Sequence, residues 1–278
     1  MKFLMLDIHK KLENLDLKLP NPSPPAANYL PYIISNNLLF ISGQISSDSN
    51  GLIKGKIGKG YTGSNNLDIN SLADNERAWR VALDGDGDRL VFSQRDATSG
   101  SPAQATGSVY TVKFDDTDFT NPTHVGTIGK SFSSSSSDLS ISTLGANDMF
   151  SSLALTDDGS RLVIGAQKDD GSGDSTTDTG AVYLITFDQT TNSDGNPSTD
   201  FNNPTHVGTI GIDYAPTNTL TKSLDLGDNG LDILSNNDQF ANSLGLTADG
   251  KILAVSSTKD DGYNTTNDYV GLIHDYEK

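Results

Sequence analysis

The stretch from Asp148 to Ala166, DMFSSLALTDDGSRLVIGA, joins two short apolar runs through an Asp-Gly pair. Similar stretches lie before it at 79–93 (WRVALDGDGDRLVFS) and after it at 238–256 (DQFANSLGLTADGKILAVS). An Asp-Gly pair between two such runs is typical of a tight β-hairpin, because glycine readily adopts the positive φ that the turn needs. A hairpin that recurs three times predicts a fold built from repeated sheets.

A second repeated motif sets the length of the repeats. The sequence DFTNPTHVGTIG at 118–129 returns as DFNNPTHVGTIG at 200–211, with one difference. A partial third copy, IGKGYTG, lies at 57–63. We therefore predict three repeats, at 59–124, 125–206 and 207–278. Repeats of such length are typical of solenoids and propellers, and the absence of helical periodicity after residue 20 excludes a helical solenoid.

Each repeat is predicted to hold four antiparallel strands, which is the composition of a propeller blade. The first two flank the Asp-Gly turn, the third follows a polar loop, and the NPTHVGTIG motif supplies the fourth. The predicted strands are Val81–Leu83, Arg89–Phe92, Gly107–Phe114 and Val125–Ile128, then Leu153–Thr156, Arg161–Ile164, Gly180–Phe187 and Val207–Ile210, then Leu244–Thr247, Ile252–Val255 and Gly271–Tyr276. Closed propellers take roughly 4–8 blades. Three repeats therefore predict an open or incomplete propeller, or one that self-associates to complete it.

Composition favours a mainly β protein with a thin core. Apolar residues make up 34% of the chain and glycines number 27, which suits strands with one buried face. The net charge of −17 argues against nucleic-acid binding and against anionic membrane surfaces. No window approaches ~18 apolar residues, so we predict no membrane insertion. The chain has no cysteine, which excludes disulfides and thiolate metal sites.

Charge divides the chain into two predicted domains. Residues 1–58 carry six Lys or Arg and four Asp or Glu, for a net charge of +2. Residues 59–278 carry 13 and 32, for a net charge of −19. A change of sign this large indicates two segments of different origin.

The first segment is predicted to begin with a short amphipathic helix over Met1–Leu19 and to continue as a proline-rich arm. A β-hairpin of Leu38–Ile45 and Leu52–Ile57 follows. The sequence of residues 24–58 is PPAANYLPYIISNNLLFISGQISSDSNGLIKGKIG. It resembles the RidA/YjgF family of enamine/imine deaminases. The resemblance implies a trimerising α+β domain and an active site formed by later residues of that domain, which are not recognisable here.

The repeats over 59–278 resemble FG-GAP repeats, the blades of integrin-α-type β-propellers, and especially a bacterial subgroup. The resemblance is carried by DMFSSLALTDDGSRLVIGAQ (148–167) and GAVYLITF (180–187). The motifs after which the family is named are not preserved. Phe150 is followed by Ser151 instead of Gly, and Gly165–Ala166 is followed by Gln167 instead of Pro. The resemblance implies a binding or adhesion role and suggests calcium as a ligand.

Asp84, Asp86 and Asp88 form the predicted metal site. They alternate in DGDGD, and a hard cation such as Ca²⁺ prefers oxygen ligands at such spacing. The stretch does not match the sequence pattern of an EF-hand loop, because Arg95 stands where a bidentate Glu is required. The alternative is that the three residues are turn formers exposed to water. The pairs Asp169–Asp170 and Asp260–Asp261 leave the same two alternatives open.

We predict a non-enzymatic binding or adhesion-type module that presents loops to a protein or glycan ligand, with calcium as a candidate ligand and no firm cofactor. The alternatives are a RidA-type deaminase and a chimeric or truncated product without evolved function. The sequence holds no GxSxG or phosphate-cradling motif to support another reaction. His124 and His206 are equivalent in the repeats, which favours a structural role. The compartment stays open, because the repeats suggest the cell surface and the RidA-like segment suggests the cytoplasm.

Overall fold

The structure is a computed structural model, and every described element of regular structure in it is a β-strand. It describes strand segments and single residues within 32–72, and the ranges 78–95, 97–99, 104–116, 118–191, 197–227, 234–260 and 272–277. The chain forms two compact units, Met1–Ile53 and Lys54–Lys278. The predicted helix over Met1–Leu19 lies outside the described residues. Within the described part, no helix is long and apolar enough to cross a membrane.

The strands follow one another along the chain with short connections. They are β1 Tyr32–Ser35, β2 Leu38–Ile41, β3 Ser47–Asp48, β4 Gly51–Leu52, β5 Lys56–Gly58, β6 Asn66–Asp68, β7 Ala78–Leu83, β8 Arg89–Gln94, β9 Thr98–Ser99, β10 Gln104–Ala105, β11 Ser108–Lys113, β12 Thr123–Gly129, β13 Leu139–Ser140, β14 Phe150–Leu155, β15 Arg161–Ala166, β16 Ala181–Thr186, β17 Gln189–Thr191, β18 Pro197–Thr199, β19 Thr205–Gly211, β20 Leu224–Asp225, β21 Phe240–Leu246, β22 Ile252–Ser257 and β23 Leu272–Glu277.

The first unit contains two small antiparallel hairpins. Strand β1 pairs with β2, and β3 pairs with β4. The predicted hairpin of Leu38–Ile45 with Leu52–Ile57 is therefore wrong in its pairing. The sequence offers a reason, since two asparagines stand between the apolar runs YIIS and LLFI and asparagine favours turns.

In the second unit, two sheets share the same order. The first sheet runs β7-β8-β11-β12-β13 and the second runs β14-β15-β16-β19-β20. In each, four strands are antiparallel and a short fifth strand pairs in parallel with the fourth. The fourth strand of the first sheet, Thr123–Gly129, lies across the predicted repeat boundary between 124 and 125. Each NPTHVGTIG motif thus completes the sheet that precedes it.

The third sheet contains β21, β22 and β23. It pairs as the first three strands of the other sheets do, and within the described residues no fourth strand adjoins β23. The three strands named for this repeat in the sequence analysis are thus the three that the described residues show, and they leave the four-strand pattern incomplete there.

The sheets of the second unit pack face to face in chain order. Strand β14 contacts β7 and β8 on one side and β21 on the other. Because successive side chains of a strand point to opposite faces, Leu162 and Ile164 lie in the core shared with the first sheet, whereas Val163 lies in the core shared with the third. This succession of antiparallel sheets is that of a propeller-like β scaffold.

Backbone geometry repeats along with the sequence. Phe119 and Phe201 have φ of 59° and 58°, and Met149 and Gln239 both have φ of 53°. Positive φ is uncommon for residues other than glycine and costs conformational energy. Its recurrence at equivalent positions indicates that the repeats share one local structure.

Candidate binding cleft between the second and third sheets

A cleft of about 190 Å³, open to solvent, lies between the second sheet and the third. Its walls are mainly apolar: the second sheet contributes Val163, Leu184, Val207, Ile210 and Leu224, and the third contributes Leu246 and Leu253. Leu224 keeps 42% of its surface exposed. A concave, mainly apolar surface with a few polar groups is the usual character of a ligand site, although this cleft is smaller than most.

Three cationic residues line the same cleft: Arg161, Lys222 and Lys251. The Arg161 guanidinium donates Nη1 hydrogen bonds to the carbonyl oxygens of Asp249 at 3.2 Å and Gly250 at 3.3 Å. Lys251 Nζ lies 2.8 Å from the Asp249 carboxylate in an exposed ion pair. That hydrogen bond lowers the pKa of Asp249 to about 2. The cleft therefore joins apolar walls with positive charge.

The corresponding space between the first and second sheets is filled. Phe187 and Phe201 occupy it, with ring centroids 4.9 Å apart in an edge-to-face arrangement. Phe201 is fully buried, and it belongs to the same apolar core as Val91 and Ile128 of the first sheet. Phe201 comes from the segment just before strand β19. The segment that leads into a fourth strand thus closes this interface.

An arginine anchors the segment that closes the first interface. Arg89 Nε donates to the carbonyl oxygen of Thr199 at 2.6 Å, and its Nη2 donates to Asp200 at 2.9 Å. Arg161 is the equivalent of Arg89, because each begins the strand after its Asp-Gly turn. In the second interface, Arg161 instead bonds to carbonyls of the turn, as described above.

A buried pair of carboxyl groups lies at one end of the second sheet. Asp169 is fully buried and accepts hydrogen bonds from Tyr183 Oη at 2.5 Å, Tyr214 Oη at 3.0 Å and Gly171 N at 2.9 Å. Asp148 accepts one from Gly145 N at 2.6 Å, and its Oδ1 has no hydrogen-bond partner. Burial raises the pKa of Asp169 to about 6. Burial and the neighbouring Asp169 charge raise the pKa of Asp148 to about 8.

Sequence reasoning did not find this pair. It treated Asp169 as part of a solvated or cation-binding loop, whereas the side chain is fully buried. A usable signal existed, since Asp148 and Asp169 recur as Asp238 and Asp260 at nearly the same spacing. The two tyrosine hydroxyls that bond Asp169 are supplied by β16 and by the segment after β19, which no local pattern reveals.

Asp84, Asp86 and Asp88 occupy the hairpin turn of the first sheet. Asp84 is buried, and its Oδ1 accepts hydrogen bonds from Gly87 N at 2.9 Å and Arg89 N at 3.1 Å. Burial raises its pKa to about 6. Asp86 is exposed, and Asp88 pairs with the Arg89 guanidinium at 3.0 Å. Among the described residues, no three side chains of His, Cys, Asp or Glu gather as a metal site would require, and the calcium site stays a prediction.

The structural role predicted for His124 and His206 is confirmed. Each ring Nε2 lies 3.0 Å from the carbonyl oxygen two residues later, of Gly126 or Gly208. Each ring also packs against a buried tyrosine, Tyr110 or Tyr183, with centroids 5.6 Å apart. Burial lowers the pKa of both imidazoles. The contacts hold the register shift that interrupts pairing of the third and fourth strands.

No family model matches the chain, and no curated protein matches it. The solved structures that are similar to it include two with 12% identity. A periplasmic gluconolactonase from Pseudomonas aeruginosa aligns at a TM-score of 0.31 over 66% of this chain and 37% of that one. The tricorn protease aligns at 0.30 over 71% of this chain and 12% of that one. The chain thus spans well under half the length of either structure.

Our prediction that the chain is not an enzyme is contradicted, because one of these similar structures is that of an enzyme, the gluconolactonase. At these TM-scores the similarity assigns no activity to the chain. The resemblance to RidA falls on residues 24–58, most of which lie outside the described residues. The deaminase alternative therefore stays a prediction.

Proposed function

We propose that the chain is a binding or adhesion-type repeat module, that its ligand is a polypeptide, and that the cleft between the second and third sheets is the binding surface. The observation that carries the proposal is the cleft itself, which joins aliphatic walls to three cationic side chains and is open to solvent. Apolar pockets of this kind give specificity for the side chains of an extended peptide.

A polypeptide suits this cleft better than a glycan. Glycan sites commonly use exposed aromatic faces, and no aromatic residue lines this cleft among the described residues. Trp79, which is 41% exposed, lies on β7 of the first sheet and stacks with Arg80 and Arg95. The cleft instead offers aliphatic walls and cations. These suit an extended segment that alternates apolar and polar residues and carries an acidic residue.

Titration calorimetry with synthetic peptides of about 12 residues tests the proposal. The length matches that of a strand with its leading turn. Each peptide of the panel begins with one Asp and continues with alternating apolar and polar residues. None of the peptides shares sequence with the repeats. We expect saturable binding that weakens about tenfold or more in Leu224→Asp, because the new carboxylate would have to be desolvated inside the cleft.

Leu83→Asp is the matched control, since Leu83 is similarly exposed, at 45%, but lies on the first sheet. It should bind like the unaltered chain. Failure of every peptide of the panel to bind a chain that unfolds cooperatively would overturn the proposal.

A further inference from the structure

We propose that one end of the second sheet carries a calcium site, with the carboxylates of Asp148 and Asp174 as its protein ligands. Asp148 lies in the loop 141–149, which joins β13 to β14, and Asp174 lies in the loop 167–180, which joins β15 to β16. No residue of either loop lines the cleft. The inference therefore goes beyond the proposed function and does not depend on it. The site is also distinct from the one predicted in the DGDGD turn of the first sheet.

The first argument is a buried carboxylate oxygen that has no partner. Asp148 keeps only 1% of its surface exposed. Its Oδ2 accepts a hydrogen bond from Gly145 N at 2.6 Å, whereas its Oδ1 has no hydrogen-bond partner. Buried polar atoms are as a rule satisfied by a hydrogen bond or by an ion. Asp148 Oδ1 is therefore free to act as a cation ligand.

The second argument is the space beside Gly145. A Cβ atom on this residue would lie 3.1 Å from Asp148 Oδ1 and closer still to Asp174 Oδ1. The φ of Gly145 lies outside the left-handed region, so the backbone conformation does not require glycine. The missing side chain instead leaves room between the two carboxylate oxygens. Because Asp174 is exposed, a hydrated cation can reach this space from solvent.

The third argument is negative charge that no cation of the protein balances. In the described part of the chain, no lysine or arginine forms an ion pair with Asp148, Asp169 or Asp174. Lys130 Nζ donates instead to the carbonyl oxygen of Leu144 at 2.6 Å. Burial, and then the charges of Asp169 and Asp174, raise the pKa of the Asp148 carboxyl. A bound divalent cation would neutralise this repulsion.

The third sheet offers an internal comparison. Asp238 Oδ2 accepts a hydrogen bond from Ser235 N at 2.5 Å, as its counterpart in the second sheet does from Gly145 N. When the Asp-Asp-Gly sequences of the two following loops are aligned, Thr265 stands in the place of Asp174. The third repeat thus lacks both the glycine and the second carboxylate. The two features occur together, as they should if they form one site.

Calcium suits this site better than magnesium. Ca²⁺ takes 6–8 oxygen ligands in a flexible geometry, whereas Mg²⁺ requires a near-ideal octahedron. No group of three acidic or histidine side chains forms among the described residues, so water and backbone carbonyl oxygens would complete the shell around the two carboxylates. A site with so few charged ligands belongs to the weak class of calcium sites, with a Kd of about 10⁻⁴–10⁻³ M.

Thermal unfolding of the full chain tests the inference. The chain is freed of metal with EDTA, dialysed, and melted at CaCl₂ concentrations up to about 10 mM, well above the expected Kd. MgCl₂ at the same concentrations is the control for general screening of the net charge of −17. We expect calcium to raise the melting temperature by about 2–5 °C more than magnesium does.

Three substitutions at the site should remove this calcium-specific rise. Gly145→Ala places a methyl group in the space between the oxygens, and Asp174→Asn removes the charge of the exposed ligand. Asp148→Asn removes the buried ligand, and in EDTA it should not destabilise the chain because it relieves the repulsion between the carboxylates. Asp86→Asn, in the DGDGD turn, is the matched control and should leave the rise unchanged.

Amide hydrogen exchange locates the effect, since calcium should slow exchange in 144–148 and 170–178 and leave 246–253 of the third sheet unchanged. A melting temperature that calcium raises no more than magnesium would overturn the inference and indicate that a proton satisfies Asp148. A rise that persists in Asp174→Asn, or that Asp86→Asn abolishes, would also overturn it. Asp174→Asn alters an exposed side chain, so it decides the matter even if Gly145→Ala does not fold.

Discussion

Two interfaces of the molecule are built from the same repeated elements: one joins the first and second sheets, the other the second and third. The first is filled by side chains, and the second is an open cleft. In the first, Phe187 and Phe201 fill the space between the sheets and Arg89 holds the backbone and carboxylate of the segment that leads to β19. In the second, aliphatic walls enclose an open cleft and Arg161 bonds to turn carbonyls. The closed interface owes its contacts to one segment, Thr199 to Phe201 with β19, whereas no phenylalanine of the described residues lines the cleft.

This difference shows how each repeat is stabilised. The fourth strand and the phenylalanine that precedes it, Phe201 in the second sheet, supply apolar contacts to the neighbouring sheet. Three strands alone would leave the outer half of that neighbouring sheet uncovered. Burial of a full aromatic ring contributes several kcal/mol through area and close packing. The segment therefore stabilises two sheets at once: the one that it joins and the one against which its phenylalanine packs.

Phe201→Ala should produce the largest change, because it empties the closed interface. Phe201 is fully buried, and truncation of a buried phenylalanine typically costs about 3–5 kcal/mol of unfolding free energy. Urea denaturation monitored by circular dichroism gives the value. The control is Phe119→Ala, at an equivalent but only half-buried residue, which should cost clearly less. Equal losses would contradict the assignment of Phe201 as the residue that closes the interface.

Arg89→Ala should lower the free energy of unfolding more than Arg161→Ala does. Both losses should be smaller than that of Phe201→Ala. Arg89 loses charge-assisted and backbone hydrogen bonds at 2.6 and 2.9 Å, so we expect a loss of about 1.5–3 kcal/mol in the free energy of unfolding. Arg161 loses longer bonds to carbonyls, and its removal should cost about 1 kcal/mol or less. If Arg161→Ala were as destabilising as Arg89→Ala, the second interface would already be anchored.

Asp148→Asn should change the pH dependence of stability. Burial and the neighbouring Asp169 charge raise the pKa of Asp148 from its ordinary value of 3.8 to about 8 in the fold. The folded chain keeps this proton while the unfolded chain loses it, so the group's contribution is fully present below about pH 4 and is lost as pH rises to about 8. The variant should remove this decline and gain about 1–3 kcal/mol at about pH 8. The measurement is the melting temperature against pH.

Asp158→Asn is the control for that series. Burial raises the pKa of Asp158, but hydrogen bonds from Thr156 and Ser160 outweigh burial and lower it. Its contribution is therefore present above the unfolded pKa and is lost on acidification. The substitution should destabilise the chain near neutral pH. Stabilisation by both substitutions would indicate a general relief of negative charge instead of a specific buried acid pair.

The strands were accessible from the sequence because local signals agree. Asp-Gly turns, short apolar runs and an exact repeat of NPTHVGTIG each indicate the same hairpins, and β14, β15 and β16 begin or end within three residues of the predicted strands. The short parallel strands β13 and β20 were not predicted. Each contains two residues, which is too short for any periodic pattern to appear.

The candidate site was not accessible in the same way. The cleft is lined by residues of two sheets that lie up to 92 positions apart, from Arg161 to Leu253, and the packing of two sheets is a non-local property. The buried pair of Asp148 and Asp169 depends on hydroxyls from Tyr183 and Tyr214, which are 31 residues apart along the chain and meet at one carboxylate. Charged residues in glycine-rich loops are usually solvated, so the sequence pattern favoured exposure for Asp169.

Hydrogen exchange of the backbone amides tests the central claim most directly. The third-sheet wall of the cleft contains Leu246 and Leu253. We predict that a panel peptide slows exchange in 246–253 while leaving 108–113 of the first sheet unchanged. Exchange in 246–253 that a saturating peptide does not alter would contradict the claim that this cleft is the binding surface.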